Sequence, residues 1–219
     1  MFPELNRVPL SARSPRIPLS APMPAISTVP VLGRKPELVP ELFDTDMLVL
    51  TMMESTRPAG LFSLLDERLR GLISRAREKA AFRGALGSYI LLDLAQEGFA
   101  EPRPRFILLV GLGDYKNFTL PIMCGLMRLV LEKSAELGVE KVTLPVIPNR
   151  LSQHSLNLVG TGSIIHCRVE ERFMLHGGIG NLKDIVLLCT PQAKKHLDEG
   201  LACSSPRCPI CPDPRIDTD

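Results

Sequence analysis

A glycine pair in the middle of the chain has the residue types of a phosphate-binding loop. Five apolar residues, 106–110, run directly into a turn that contains Gly111 and Gly113, and Lys116 follows. Glycine lets backbone amides approach a ligand closely and lysine supplies positive charge, so a nucleotide or phosphate contact is one interpretation. The dinucleotide fingerprint, however, needs a third glycine where Lys116 stands and a helix that starts at once. A plain turn at the end of a strand is therefore the alternative interpretation.

A second glycine-rich segment offers further candidate ligand contacts. Gly177, Gly178 and Gly180 follow the stretch 162–175, whose pattern fits a strand as well as a helix. New functions often reside in such loops, although many of them only connect elements. A small-ligand module would use these glycines, together with residues 111–116, to bind a nucleotide.

Cysteines near the C-terminus suggest a metal site. Cys203, Cys208 and Cys211 lie in a short segment, and the Cys-x-x-Cys spacing lets two thiolates bind one tetrahedral zinc, which Cys203 or His196 would complete. A zinc ribbon also needs a second Cys-x-x-Cys knuckle, which the sequence lacks. An unstructured tail and a disulfide clamp therefore stay open as alternatives. Apart from this structural zinc, the sequence predicts no cofactor.

Three further residues have the chemistry of metal ligands. His166, Cys167 and Glu170 stand close together in the stretch of ambiguous secondary structure. They would bind a metal only if that stretch folded so that their side chains converged. A histidine beside a cysteine in an apolar stretch is more often part of a protein core.

Composition and charge exclude several functional classes. The chain has 219 residues, of which 45% are hydrophobic, and a net charge of +2. The positive excess lies in residues 1–40, so we expect no basic face of the kind that a dedicated nucleic-acid binder needs. No apolar run approaches the ~18 residues of a membrane span, and the N-terminus lacks the layout of a secretory signal. We expect a cytoplasmic protein with mostly reduced cysteines.

Strands and helices are predicted to alternate along the central part of the chain. Apolar runs typical of buried strands occur at 47–53, 88–94, 106–110, 139–147 and 183–189. Between them, three- and four-residue spacing of apolar side chains predicts helices, and the glycine-rich residues 160–163 are interpreted as a loop. This alternation predicts a three-layer α/β/α sandwich with a mixed, mostly parallel sheet.

Proline content divides the chain into three parts. In residues 1–40 proline recurs every few positions without a helical or alternating period, which predicts a disordered tail. Because apolar residues are frequent in this tail, a segment that orders on binding a partner is the alternative. Residues 41–201 are predicted to form one domain, and residues 202–219 a second tail rich in cysteine and proline.

Six short motifs occur in a defined order along the central part of the chain. They are Pro58-Ala59-Gly60-Leu61, Leu65-Asp66-Glu67-Arg68-Leu69-Arg70-Gly71, Phe82-Arg83-Gly84-Ala85-Leu86-Gly87, Val110-Gly111-Leu112-Gly113, Phe118 and Leu137-Gly138-Val139. In this order they resemble the N-terminal domain of the leucyl aminopeptidase family, which is a macro-domain-like α/β/α module. The resemblance covers residues 44–147 well and residues 183–201 more loosely, and it implies a macro-like fold.

The residues that carry the peptidase chemistry of that family are not found in this sequence. In the family, a second, C-terminal domain holds two metal ions with a lysine and several carboxylates. Neither its Asn-Thr-Asp-Ala-Glu-Gly-Arg signature nor its Lys-Gly-x-Thr-Phe-Asp segment occurs here. The resemblance therefore implies a stand-alone, non-catalytic domain that acts in protein–protein association or self-association. One alternative is the small-ligand module, which would bind a nucleotide or, as the likeness to macro folds implies, an ADP-ribose-type group. The other is an accessory part of an aminopeptidase whose metal site lies on another chain.

Overall fold

The computed structural model describes residues 22–31, 42–54, 61–100, 102–146 and 158–202. These residues form strands, α-helices and one short 3-10 turn. The strands are β1 (Ala25–Pro30), β2 (Met47–Met52), β3 (Tyr89–Asp93), β4 (Phe106–Gly111), β5 (Lys141–Pro145) and β6 (Asp184–Cys189). The helices are α1 (Leu61–Arg68), α2 (Leu72–Lys79), α3 (Leu120–Leu137), α4 (Leu158–His176) and α5 (Pro191–Leu201). The 3-10 turn covers Tyr115–Asn117.

The strands form one six-stranded sheet in the order β1-β6-β5-β2-β4-β3. Neighbouring strands are parallel throughout, except that β3, at one edge, runs antiparallel to β4. Parallel neighbours need long crossover connections, which explains why helices intervene between these strands. The prediction of a mixed, mostly parallel sheet is confirmed.

Helices cover both faces of the sheet and make three layers. On one face, α3, α4 and α5 pack against strand residues that include Val49, Leu108 and Leu187. On the other face, α1 and α2 pack against residues that include Leu48 and Ile107. Because successive strand residues point to opposite faces, a strand that is covered on both faces must be apolar at nearly every position. The uninterrupted apolar runs are thus explained, and the predicted α/β/α sandwich is confirmed.

The first strand corrects one prediction from the sequence. Residues 1–40 are predicted to be a disordered tail, but Ala25–Pro30 form β1 and pair with β6 along the whole strand. Prolines stand at both ends of β1, and an edge strand tolerates proline because one side of its backbone needs no ladder bond. The domain therefore begins before residue 41. Most of the remaining sequence of the two predicted tails, 1–21, 32–40 and 203–219, lies outside the described residues.

Helix α4 settles the stretch of ambiguous secondary structure. Leu158–His176 form one helix of 19 residues, which includes the glycine-rich segment 160–163 that is interpreted above as a loop. A Cβ added to Gly162 would lie 2.5 Å from the carbonyl oxygen of Leu197 on α5. Close packing between the two helices therefore requires glycine here and outweighs its low helix propensity, which costs about 1 kcal/mol.

The helices on the opposite face are shorter than the sequence pattern predicts. The apolar spacing predicts one amphipathic helix, whereas α1 and α2 are separate helices of 8 residues each. Arg70 and Gly71 adopt left-handed backbone conformations, with φ of 54° and 75°, and these interrupt the helix.

No helix in the described part of the chain is both long and apolar enough to cross a membrane.

Candidate functional site

The strand order creates a place where the chain leaves two neighbouring strands in opposite directions. β2 and β5 are adjacent and parallel. The chain that leaves β2 leads through α1 and α2 toward β3, whereas the chain that leaves β5 leads through α4 to β6 on the other side. In open α/β sheets, ligands bind beyond the carboxyl ends of the strands at such a switch point. We refer to this place as the switch-point crevice. Residues 55–60 and 147–157, which follow the two strands, lie outside the described residues.

Next to the switch-point crevice, the backbone at the end of β4 is hydrogen-bonded to the end of β2. Leu112 donates its amide hydrogen to the carbonyl oxygen of Met52 (2.9 Å), and Glu54 donates to the carbonyl oxygen of Gly113 (2.8 Å). The loop 82–88 closes against the same strand end, since a Cβ added to Gly84 would lie 3.0 Å from the Met52 carbonyl oxygen. The carboxyl end of β2 is therefore held by main-chain contacts.

The amides of the Gly-x-Gly turn are engaged within the protein. Gly111 donates to the carbonyl oxygen of Ser88 (2.8 Å), and Gly113 donates to that of Gly84 (2.9 Å). A Cβ added to Gly111 would lie 2.1 Å from the carbonyl oxygen of Ala85, so glycine is needed for the approach of this loop. These contacts agree with the interpretation of a turn at the end of a strand, and they leave the two amide hydrogens directed at protein carbonyls.

Lys116 stands in the turn that connects β4 to α3. Its amide donates to a side-chain oxygen of Asp114 (3.0 Å), and the amide of Asn117 donates to the Asp114 carbonyl oxygen (3.0 Å). Asp114 thus shapes the turn, as the sequence alternative predicts. The Lys116 side chain is exposed at the carboxyl ends of the strands, where the switch-point crevice also lies.

The second glycine-rich segment lies at the amino ends of the strands, opposite to the end at which Gly111 and Gly113 lie. Gly177, Gly178 and Gly180 precede β6, whose amino end lies beside the amino end of β5. A Cβ added to Gly180 would lie 3.1 Å from the Cα of Ala135, near the carboxyl end of α3. These glycines are therefore separated from Gly111 by the length of a strand of five or six residues, which is about 17–20 Å. The structure therefore does not bring the two predicted glycine loops together into one site.

The candidate metal ligands remain apart in the part of the chain that can be described. The three candidates of the stretch 162–175 lie on α4, and no group of three or more His, Cys, Asp or Glu side chains within the described ranges could hold a metal ion. His196 is an exposed residue of α5. Cys203, Cys208 and Cys211 lie outside the described residues, so the structural zinc stays a prediction.

A buried contact between cysteine and arginine joins α3 to α4. Arg168 Nε donates to Cys124 Sγ at 2.8 Å, and the same guanidinium contacts Glu171. Burial acts to lower the pKa of Arg168, but hydrogen bonds to Cys124 and Glu171 outweigh it and raise the pKa. The buried thiol thus faces a permanently charged group. The two residues are 44 positions apart, and no local sequence pattern connects them.

A second polar network fastens β1 to α5. Lys194 Nζ donates to Thr28 Oγ1 (2.6 Å) and to an Asp198 side-chain oxygen (2.7 Å), and the Thr28 hydroxyl also donates to Asp198. Burial acts to raise the pKa of Asp198, but the hydrogen bonds from Lys194 and Thr28 outweigh it and lower the pKa. Burial raises the pKa of the nearby Cys189 thiol. We interpret this network as structural, because it holds the edge strand in place.

Comparisons with known proteins identify the fold. No protein-family model and no curated protein sequence matches the chain. Among solved structures, a tomato leucine aminopeptidase mutant superposes with a TM-score of 0.60 and 18% identity over 83% of this chain, which spans 36% of that protein. This chain is thus similar to little more than a third of the aminopeptidase.

Macrodomains superpose over a comparable share of the chain. The macro domain of ganglioside induced differentiation associated protein 2 gives a TM-score of 0.57 and 18% identity over 80% of this chain and 82% of that one. A Trypanosoma brucei macrodomain, solved in complex with ADP-ribose, gives 0.55 and 16% over 80% of this chain and 68% of that one. At these identities the likeness shows the fold alone, and that fold is macro-like.

Proposed function

We propose that this protein binds a nucleotide of the ADP-ribose class in the switch-point crevice. The observation that carries the proposal is the divergence of the chain after β2 and β5, because open α/β sheets bind their ligands at the carboxyl ends of the strands where the chain diverges in this way. The neighbours support the choice of ligand, since macrodomains of similar fold were solved with ADP-ribose and with ADP.

The elements around the switch-point crevice suit the pyrophosphate of such a ligand. A helix that follows a parallel strand begins near the carboxyl ends of the strands, and α3 follows β4 in this way after the turn Tyr115–Asn117. The amino end of a helix carries partial positive charge and attracts phosphate. Lys116 is exposed at the carboxyl ends of the strands. In this proposal the turn at Gly111 and Gly113 lies beside the ligand, and its amides do not bind the phosphates, because they donate to protein carbonyl oxygens.

Calorimetric titration of the full chain with ADP-ribose tests the proposal. We expect saturable binding with a dissociation constant in the micromolar range, and a rise in melting temperature in ligand excess. ADP should bind more weakly, and ribose 5-phosphate more weakly still, because each offers fewer contacts. Absence of both heat and thermal shift at about 1 mM ADP-ribose would refute the proposal.

Charge reversal at one glutamate locates the site. Glu54 is exposed and follows the end of β2 at the switch-point crevice. Glu97 is also exposed, but it lies in the turn after β3, at the amino ends of the parallel strands. Glu54→Lys should tighten ADP-ribose binding by about threefold to tenfold at low salt, since it replaces repulsion of the phosphates by attraction. Glu97→Lys is the matched control and should leave the affinity unchanged. Equal effects of the two variants would contradict the location.

Assembly is the second candidate function, and an exposed apolar surface favours it. Leu86 and Tyr89, at the antiparallel edge of the sheet, are 51% and 44% exposed. Exposed apolar surface of this kind is typical of contact sites between proteins. A non-catalytic interaction domain, including an accessory part of an aminopeptidase assembly, therefore stays a proposal. Measurement of the mass of the native particle in solution tests it.

A further inference from the structure

The antiparallel edge of the sheet has few of the features that normally keep strand edges apart. β3 has the sequence Tyr-Ile-Leu-Leu-Asp, without lysine or proline, and its one charged residue, Asp93, stands at its end and pairs with Arg105. Its first residue, Tyr89, is 44% exposed, and Leu86 just before it is 51% exposed. Natural proteins protect such edges with charges, proline or bulges, because open backbone groups recruit another strand. Within the described residues, no strand pairs with the outer edge of β3.

The opposite edge of the sheet is better protected. Proline stands at both ends of β1, and proline cannot donate to a ladder. Of the two sheet edges in the described part of the chain, β3 is therefore the one suited to pairing.

The hydrogen-bond pattern of β3 shows which backbone groups face outward. Gly111 donates to the Ser88 carbonyl oxygen, and Leu94 donates to the Arg105 carbonyl oxygen. Residues 88 and 94 therefore direct their backbone groups toward β4, and so do the even-numbered residues between them, because antiparallel strands alternate. The backbone groups of Tyr89 and Leu91 and the amide of Asp93 consequently point to the open edge, whereas the Asp93 carbonyl oxygen accepts from the amides of Gln96 and Glu97 (3.0 and 3.3 Å).

We propose that β3 pairs in antiparallel fashion with β3 of a second copy of this chain, about a twofold axis at Leu91. In this register Leu91 exchanges two hydrogen bonds with its own counterpart, and Tyr89 lies opposite Asp93 of the other copy. On the face that carries α1 and α2, Ile90 lies opposite Leu92 of the other copy. All five residues of β3 are used, and the same surface serves both copies, as a twofold interface requires.

Charge complementarity favours a second copy as the partner. Lys133 of α3 lies over the Tyr89 ring, with its Nζ 5.1 Å from the ring centroid. Tyr89 shares a face of the sheet with Val110, and Asp93 shares that face with Phe106. Within one copy, Asp93 pairs with Arg105 (3.1 Å) and Lys133 pairs with Glu136 (2.6 Å). In the proposed register, the Asp93 carboxylate of one copy approaches the Lys133 ammonium of the other, so these pairs join across the interface, and symmetry creates this arrangement twice.

Sedimentation velocity of the full chain tests the proposal. A pairing of two short strands buries less surface than a standard interface, so we expect a monomer–dimer equilibrium with half-dissociation between about 1 and 100 µM. Tyr89→Lys places a charge on the open edge and repels Lys133, so it should weaken dimerisation at least about tenfold. Met174→Lys, at a residue that is 73% exposed on α4, is the matched control and should not change the equilibrium.

Amide hydrogen exchange gives a readout that a folding defect would not mimic. Above the dissociation constant, the amides of Tyr89, Leu91 and Asp93 should gain protection, whereas those of Ile90 and Leu92 should be protected at every concentration. Dilution should release only the odd-numbered set. A wild-type monomer at about 100 µM, a dimer unaffected by Tyr89→Lys, or protection without this alternation would each overturn the proposal.

Discussion

Gly162 of α4 and Gly200 of α5 lie against each other where the two helices cross. A Cβ added to Gly200 would lie 2.1 Å from the carbonyl oxygen of Val159 and 2.9 Å from the Cα of Gly162. Ser163 closes the same contact, because its hydroxyl lies 3.3 Å from the Gly200 carbonyl oxygen. The two helices therefore meet backbone to backbone, which only residues without a side chain permit.

This crossing predicts a large cost for the smallest possible side chain. Gly200→Ala should lower the free energy of unfolding by about 3 kcal/mol, since the added methyl group meets rigid backbone on α4. Urea denaturation followed by circular dichroism measures the change. Gly125→Ala on α3 is the control, because nothing lies within 4 Å of its added Cβ. The control should raise the stability by about 0.5–1 kcal/mol, and equal destabilisation by both variants would contradict the crossing.

A second glycine pair separates steric from conformational cost. Gly111→Ala should lower the free energy of unfolding by at least about 2 kcal/mol, because its Cβ would overlap the Ala85 carbonyl oxygen and the Ser88 hydroxyl. Gly87→Ala meets open space, but its φ of 76° costs an alanine about 1 kcal/mol. Thermal unfolding of the two variants should rank them in this order, and a reversed order would disagree with the described loop.

Asp198 should make the edge network sensitive to acid. Its pKa is lowered in the folded protein, because hydrogen bonds from Lys194 and Thr28 outweigh the effect of burial. A lowered pKa contributes stability above the ordinary value of about 3.9, and this contribution is lost as the pH falls through the lowered pKa. The Lys194→Met/Asp198→Asn double-mutant cycle should give a coupling of about 0.5 kcal/mol near neutral pH. The coupling should vanish near pH 2, and a coupling independent of pH would count against this network.

Cys189 should make the fold sensitive to base. Burial raises the pKa of its thiol, an effect that Lys194 partly opposes. A raised pKa gives stability that is present below the unfolded value of about 8.5 and is lost as the pH rises above it, because only the unfolded thiol ionises. Wild-type protein should therefore lose more stability between neutral pH and pH 10 than Cys189→Ala does. Parallel pH profiles of the two proteins in guanidinium denaturation would rule this out.

The central strands and the longest crossover could be predicted because local patterns determine them. β2 and β4 are covered on both faces and must be apolar at nearly every position, and α3 has signals for its start and its end in its own sequence. Thr119 precedes it with an extended backbone, and Gly138 ends it with a φ of 64°. Each of these signals lies within a few residues of the element that it describes.

The features that the sequence did not predict depend on distant partners. β1 is a strand only because β6 lies beside it, and its prolines resemble a linker when it is considered alone. Gly162 resembles a loop residue until α5 is placed against it. At the candidate site, both interpretations of Gly111 agreed with the local sequence, and Ser88 and Ala85 favour the turn. The location of the switch-point crevice likewise depends on strand order, which no motif states.

The pairing of β1 with β6 also dictates the order in which the sheet can be completed during synthesis. Val29 and Cys189 are in contact although 160 residues separate them. Contacts of such long sequence separation are slow to form, and on the ribosome they must wait until the later strand has emerged. Of the described strands, the first to be translated is thus the last to find its neighbour. Until β6 has been synthesised, the edge of β5 that pairs with β6 has no partner strand. A chaperone that binds this edge would act during that interval.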